Sequence, residues 1–338
     1  MKNTIIMGIE SSCDETACAI IINGELKANI ISSQIEVHQK YGGVMPEIAS
    51  RLHLENILCV IDEALNKANV KLEDLSAIAI TRGPGLIGAL HVGLQAAKTI
   101  ALIYNIPLIP VHHLAGHIYA NEFVSELKFP LLAVVVSGGN TELVYMKEHL
   151  SFEIIGETKD DAIGESFDKV ARVLGLPYPG GVAIDRLAKN GKHTYNLPTP
   201  MHDGSLNVSY SGLKTAVINL VHKMEQNNEK IIIEDMAKSF QDVAIKMIID
   251  RVKKATEIYN VKQVVLAGGV SANSYLRKSI VELFQNEDIE VIIPPIWCTT
   301  DNAAMIAKVG EYLYNKKMFA DLSLGVDPSR KIENYDKY

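Results

Sequence analysis

The chain has 338 residues, of which 48% are hydrophobic and 22% charged, and carries a formal net charge of -7. That composition excludes a disordered polar polymer, and it excludes a protein that coats nucleic acid through general basicity, because phosphate affinity comes from clustered Lys and Arg. At roughly 150 residues per domain, the length predicts two domains.

From the amino end, a short apolar run interrupted by Gly8 is closed by Glu10, too short for a secretory signal or a membrane span. No later stretch reads as ~18 consecutive apolar residues, so a cytoplasmic protein without a membrane segment is expected. Cys13, Cys18, Cys59 and Cys298 form no C-x-x-C pair, which argues against a zinc ribbon or a disulfide framework.

Residues 5–10 and 17–22 read as strands joined by the polar turn Ser11-Ser12-Cys13-Asp14-Glu15-Thr16. The unit recurs as 131–136, the turn Ser137-Gly138-Gly139-Asn140, and 141–146. Helices and strands alternate after each unit: 46–68, 77–81 and 86–104 in the first half, and 161–174, 264–267 and 273–284 in the second. A duplicated α/β chain follows from this, with mixed sheets covered by helices, lobes at 1–129 and 130–338, and an interlobe cleft as the ligand site. Residues 193–229, with Gly204, Pro198 and Pro200, break the rhythm and read as the start of a helical insertion around 193–258.

His113 and His117 stand at i and i+4, which on a helix puts both imidazoles on one face within reach of a shared ion. Ten histidines in 338 residues give roughly 0.3 such pairs by chance, so the pair alone is weak, and Gly116 lies between them. A zincin needs glutamate after the first histidine, where this chain has Leu114. Asp301, ahead of a helix at 302–314, is a candidate third ligand or a plain N-cap.

Ser137-Gly138-Gly139-Asn140 can let backbone amides approach an anion or can be an ordinary hairpin turn. Gly268-Gly269-Val270-Ser271-Ala272-Asn273 runs from a strand into a helix, the order of a nucleotide cradle, but matches neither a dinucleotide fingerprint nor a P-loop. Gly83-Pro84-Gly85-Leu86-Ile87-Gly88 opens another helix. Asp160 and Asp161 read as helix-dipole partners, whereas Asp168 lies further inside its helix and Asp185 in the first turns of the next. Lys246, Arg251, Lys253 and Lys254 form the best basic cluster and read first as a solvated helix face.

Taken together these motifs resemble the tRNA adenosine threonylcarbamoyltransferases, called TsaD in bacteria and formerly O-sialoglycoprotein endopeptidases. The likeness runs through residues 8–16, 46–51, 83–88, 113–117, 136–141, 160–172, 178–181, 211–215, 268–273 and 300–304, in order over nearly the whole chain. It implies an actin-like, sugar-kinase and Hsp70-related (ASKHA) duplicated fold. It implies a divalent ion, Fe(II) or Zn(II), on His113, His117 and Asp301, and an adenylate held by Val136, Ser137, Gly138, Gly139, Asn140, Asp168, Gly181, Asp185 and Asn273. The implied reaction moves threonylcarbamoyl from threonylcarbamoyl-adenylate to the exocyclic amine of adenosine 37 in tRNAs reading codons that begin with A, releasing AMP. Implied partners are an inactive paralogue (TsaB) and a small ATPase (TsaE). Asp14 or Glu15 is the candidate for receiving the amine proton or steering the adenosine.

Two departures stand out. Archaeal and eukaryotic members have a ligating tyrosine where this chain has Val135, leaving three protein ligands, and Val182 replaces a common proline. The rival readings are a metallopeptidase, a small-molecule kinase on the same fold, and a non-catalytic nucleotide-binding scaffold. Retention of His113, His117 and Asp301 speaks against the last.

Overall fold

The computed structural model describes residues 3–201 and 203–335. Residues 1, 2 and 336–338 of the expected lobes, and residue 202 of the expected insertion, lie outside them.

The first unit begins with three antiparallel strands, β1 (Ile5–Glu10), β2 (Glu15–Ile22) and β3 (Glu25–Ser33). It continues through α1 (Ile35–Gln39), α2 (Pro46–Ala68), β4 (Ala77–Gly83), α3 (Ile87–Tyr104), β5 (Leu108–His112) and α4 (His113–Tyr119). The second unit repeats the plan with β6 (Leu131–Val136), β7 (Thr141–Met146) and β8 (Glu153–Glu157). Four helices follow, α5 (Ile163–Val173), α6 (Gly180–Ala188), α7 (Ser211–Gln226) and α8 (Ile233–Ile258), then β9 (Gln263–Ala267), α9 (Ser274–Phe284), β10 (Glu290–Ile292) and α10 (Ile296–Thr299).

The sheets are ordered β3-β2-β1-β4-β5 and β8-β7-β6-β9-β10, and in both the first strand pairs antiparallel with the second and parallel with the fourth. The recurrence read in the sequence is therefore a repeated topology. β1 and β6 are buried along their whole length, as central strands covered on both faces must be, which is why their sequences are apolar without alternation. β3 escapes sequence reading because it is an edge strand in which only Ala28 and Ile30 are buried.

The units differ from the expected division at 129/130. Residues 1–124 and 300–338 form one unit and 125–299 the other, because α11 (Ala303–Asn315) returns to the first sheet. A face of small residues makes this possible. A Cβ on Gly8 of β1 would lie 2.4 Å from the Ala303 carbonyl oxygen, and one on Gly310 would lie 2.5 Å from the Ala79 Cβ.

α3 is 18 residues long with a mean hydropathy of 1.3, enough by length and composition to cross a membrane. It instead packs on β4 and α2 through Ala89, Leu90, Gly93, Leu94, Ala97, Ile100 and Ala101. Within the expected insertion, α7 and α8 supply part of the second core. Phe240 of α8 meets Phe167 of α5 edge-on at 5.1 Å between ring centres, with Leu213, Val217 and Met236 in the same cluster.

The basic cluster on α8 resolves into structural roles. Lys246 pairs with Asp250 at 2.7 Å, while Arg251 is buried and donates to the carbonyls of Asn207 and Met201. Asp160 and Asp161 also differ from their expected role as dipole partners of α5. Asp160 accepts from the backbone N–H of Tyr210 (2.8 Å) and Ser211 (3.1 Å), so it caps α7 from a distance, and Asp161 binds Lys214 at 2.5 Å.

Candidate metal centre

α4 begins directly at the end of β5. Its N-cap is His112, whose Nδ1 accepts from the Leu114 N–H (3.2 Å) and whose Nε2 donates to the Arg330 carbonyl (2.9 Å). Burial pushes the His112 pKa down to about 3, so the ring is neutral and holds one tautomer, as a cap that both accepts and donates requires. The helix then turns His113 and His117 to one side. Gly116 between them is the position at which α4 touches α11, where a Cβ would lie 2.9 Å from Ile306 and 3.1 Å from Met305.

Asp301 reaches this face because it is not the N-cap of α11. Asn302 takes that place, accepting from the Met305 N–H at 3.0 Å. Oδ1 of Asp301 lies 3.1 Å from Nε2 of His117 and 3.4 Å from Nε2 of His113. One donor atom from each of the three residues falls within 4.8 Å of the others.

The donor set fits a single ion of the two-histidine, one-carboxylate kind. On His113 the Nδ1 side is occupied by Oε2 of Glu10 (3.0 Å) and Oγ of Ser12 (3.1 Å), leaving Nε2 toward Asp301. The Nδ1 of His117 is buried without a partner among the described residues, so the polar contact of that ring is also on the Asp301 side. Burial works against charge on His113, but Asp301 and Glu10 outweigh it and raise its pKa well above the ordinary range. The cationic ring in turn holds Asp301 far below the usual carboxylate range, although burial opposes this. An ion held by these residues would take the place of a proton on His113.

Asp14 and Glu15 leave β1 for β2 in the same unit. Glu15 is 8% exposed, its Oε1 accepts from Ser33 Oγ (2.8 Å), and its Oε2 is buried with no partner among the described residues. Burial pushes its pKa up to about 8, with the negative charges of Asp14 and Asp301 adding to the effect. Burial and the Asp301 charge raise Asp14 as well. The turn is pinned by His53 on α2, whose Nε2 donates to the Cys13 carbonyl (2.9 Å) while its Nδ1 lies 2.7 Å from Thr16 Oγ1.

In the second unit, β6 and β9 are parallel neighbours, Val135 facing Ala267 in register, so both glycine turns emerge at the same carboxyl edge. Gly268 has φ +87, and a Cβ there would meet the Val136 carbonyl at 2.4 Å. Ligands of open α/β sheets bind beyond such an edge. Gly138, Gly139 and Gly269 behave differently, since a Cβ on any of them would meet no described atom within 4 Å. The packing of the chain itself does not demand glycine at these three positions.

The Ser137–Asn140 turn is closed by the Ser137 N–H on the Asn140 carbonyl (2.8 Å) and the Asn140 N–H on Ser137 Oγ (3.0 Å). Asp168 accepts from the Gly180 N–H (2.7 Å), next to Gly181. Asp185 accepts from Ser274 Oγ (2.8 Å), next to Asn273, whose side chain caps α9 and donates to Gln241 (2.8 Å).

Glu10, Ser12, His53, Thr81 and His112 were not singled out in the sequence. For Glu10 a signal existed, a carboxylate ending an otherwise apolar strand, since a buried charge needs dedicated partners.

Residues 25–308 match the family model described as TsaD: tRNA N6-adenosine threonylcarbamoyltransferase. The chain is 56% identical over 336 residues to the tRNA N6-adenosine threonylcarbamoyltransferase of Bacillus thuringiensis subsp. konkukian, covering 98% of both. It is 52% identical over 335 residues to that of Halalkalibacterium halodurans, again covering 98% of both. Among solved structures, HypF of T. kodakarensis aligns with a TM-score of 0.64 at 14% identity, covering 96% of this chain and 49% of that one. Component A of (R)-2-hydroxyglutaryl-CoA dehydratase from Acidaminococcus fermentans aligns with a TM-score of 0.54 at 17% identity, covering 93% and 98%. These two likenesses bear on the fold alone, which is the duplicated α/β actin-like (ASKHA) type.

Proposed function

This chain belongs to the tRNA N6-adenosine threonylcarbamoyltransferase family and is a tRNA-modifying transferase; on that premise we propose that it moves threonylcarbamoyl from threonylcarbamoyl-adenylate to the exocyclic amine of adenosine 37, in tRNAs reading codons that begin with A, and releases AMP. The observation that carries this reading is the convergence of His113, His117 and Asp301 on one point. These three residues hold the ion, Fe(II) ahead of Zn(II) for such a ligand set, with TsaB and TsaE as partners in the cytoplasm. A divalent ion supplies Lewis-acid stabilisation of developing oxygen charge there, and orders the groups bound to it.

The residues of the chain do the rest. Val136, Ser137, Gly138, Gly139 and Asn140, with Asp168, Gly181, Asp185 and Asn273, hold the adenylate, and the open space over Gly138, Gly139 and Gly269 supports this. The amine nitrogen attacks the carbamoyl carbon, the bond from that carbon to the phosphate oxygen breaks, and AMP departs with the electron pair. The amine proton passes to the carboxylate of Asp14 or Glu15.

The Glu15 shift sets a pH dependence. With a pKa of about 8 its carboxyl is largely protonated at neutral pH, so competence to accept a proton grows as pH rises through about 8. An ascending limb of kcat/KM above the ordinary carboxylate range is expected, reaching about 8 at most because an ion on Asp301 would offset part of the negative charge that raises Glu15, and Glu15→Gln should flatten it while lowering the rate. A profile unchanged in the variant assigns the proton to Asp14, whose replacement by Ala should then abolish transfer while sparing adenylate binding.

Gly139→Ala separates binding from folding. Its Cβ meets no described atom, so thermal unfolding should move by less than about 0.5 kcal/mol. Adenylate affinity should fall by roughly tenfold or more, since backbone approach to an anion needs the missing side chain. Unchanged affinity by calorimetry places the adenylate elsewhere.

Mass spectrometry of nucleosides from unmodified tRNA, incubated with the chain, threonylcarbamoyl-adenylate, TsaB and TsaE, tests the reaction as a whole. Threonylcarbamoyl-adenosine is the expected product, and its absence with demonstrably active partners would overturn the assignment.

A further inference from the structure

We infer that Glu10 is a positioning residue for the metal centre, its Oε2 accepting the Nδ1–H of His113 and so presenting the Nε2 lone pair of that ring toward Asp301. The inference rests on the reading that His113, His117 and Asp301 hold an ion. Glu10 is the last residue of β1 and is 0% exposed. Its Oε1 accepts from the Ser12 N–H (2.5 Å), and its Oε2 accepts from Thr81 Oγ1 (2.7 Å) and faces His113 Nδ1 (3.0 Å).

No lysine or arginine is paired with Glu10 among its described contacts, and an ionised carboxylate taken from water costs several kcal/mol unless a cation answers it. Among its described hydrogen-bond partners the one ionisable group is the His113 ring. Thr81 belongs to β4, which lies beside β1 in the sheet, with Ile80 facing Ile9 in register. The carboxylate is thus clamped by the end of one central strand and the flank of its neighbour, and the orientation of the His113 ring inherits the rigidity of the sheet.

A carboxylate on the far nitrogen of a ligating histidine does two things: it selects the tautomer that leaves the near nitrogen free, and it makes that nitrogen a better donor. A structural role limited to closing the turn would need only the contacts to Ser12 and Thr81, and would leave ion affinity unchanged when the charge is removed.

The test uses the full-length chain stripped of metal, with Co(II) as an absorbing probe and Zn(II) in competition with a chromophoric chelator. Wild type, His117→Ala and Glu10→Gln are compared, with thermal unfolding of each metal-free protein as the check on folding. The expected result is one ion per wild-type chain, none at the same concentrations in H117A, and about 10- to 100-fold weaker binding with an altered Co(II) spectrum in E10Q. Binding by E10Q equal to wild type, with H117A deficient, overturns the role of Glu10 alone. A wild type that binds no ion removes the metal reading and this inference with it. If E10Q does not fold, the Zn(II)-loaded wild type decides by imidazole nitrogen NMR, where a protonated, slowly exchanging Nδ1 on His113 is expected and a bare Nδ1 rejects the assignment.

Discussion

His117→Ala is expected to lower the transfer rate on the order of a thousandfold and to remove the bound ion. The ring is one of the three proposed protein ligands, its side chain has no exposed surface, and its Nε2 lies 3.1 Å from Asp301. A metal contributes several kcal/mol of charge stabilisation, and each 1.4 kcal/mol is worth a factor of ten, so losing it produces an effect of this size. Asp301→Asn should act similarly, because a neutral amide both weakens ligation and leaves the His113 and His117 rings without their shared carboxylate. Elemental analysis of the purified variants and single-turnover transfer measure the two losses separately. Full metal content together with wild-type turnover in H117A would place the ion, and the chemistry, away from α4.

A large effect on stability is expected at a residue that touches no substrate. Gly8→Ala puts a Cβ 2.4 Å from the Ala303 carbonyl oxygen, 2.7 Å from the Ala307 nitrogen and 2.8 Å from the Ala307 Cβ. Two of these neighbours are backbone, so no side-chain rotation relieves the clash, and α11 must withdraw from β1. Overpacking of this kind costs about 3 kcal/mol, which for a unit of this size lowers Tm by about 6 to 12 °C. Because Asp301 lies two residues ahead of α11, withdrawal of that helix also pulls a ligand from His113 and His117. Thermal unfolding and metal affinity should therefore fall together in G8A, whereas Gly139→Ala should disturb neither. Retention of both properties in G8A would mean that α11 has slack the packing does not reveal.

Much of the site could be read before any fold was known. The i, i+4 spacing of His113 and His117 needed only the helical period, and the two glycine turns were visible because each interrupts or ends an apolar run. Asp14 and Glu15 stood out as carboxylates in a tight polar turn. Asp301 was ambiguous, since a carboxylate ahead of a helix is an N-cap as readily as a ligand, until Asn302 proved to be the cap. Asp160 was misjudged for a related reason, as its partners at 209–211 lie about fifty residues further along. Asn273 carries both signals at once, capping α9 at the edge where a ligand is proposed to bind.

By itself the sequence determined the buried strands β1, β2, β4, β6, β7 and β9, the turns after β1 and β6, the duplication and the His113/His117 pair, because each depends on periodicity or spacing within a few residues. Only the tertiary structure decided that residues 300–335 return to the first unit, that Asp301 meets His117 across 184 positions, and that Glu10 reaches His113 across 103. The first two depend on how closely α11 can approach β1, β4 and α4, and that distance is set by alanines and glycines whose meaning lies in what packs against them.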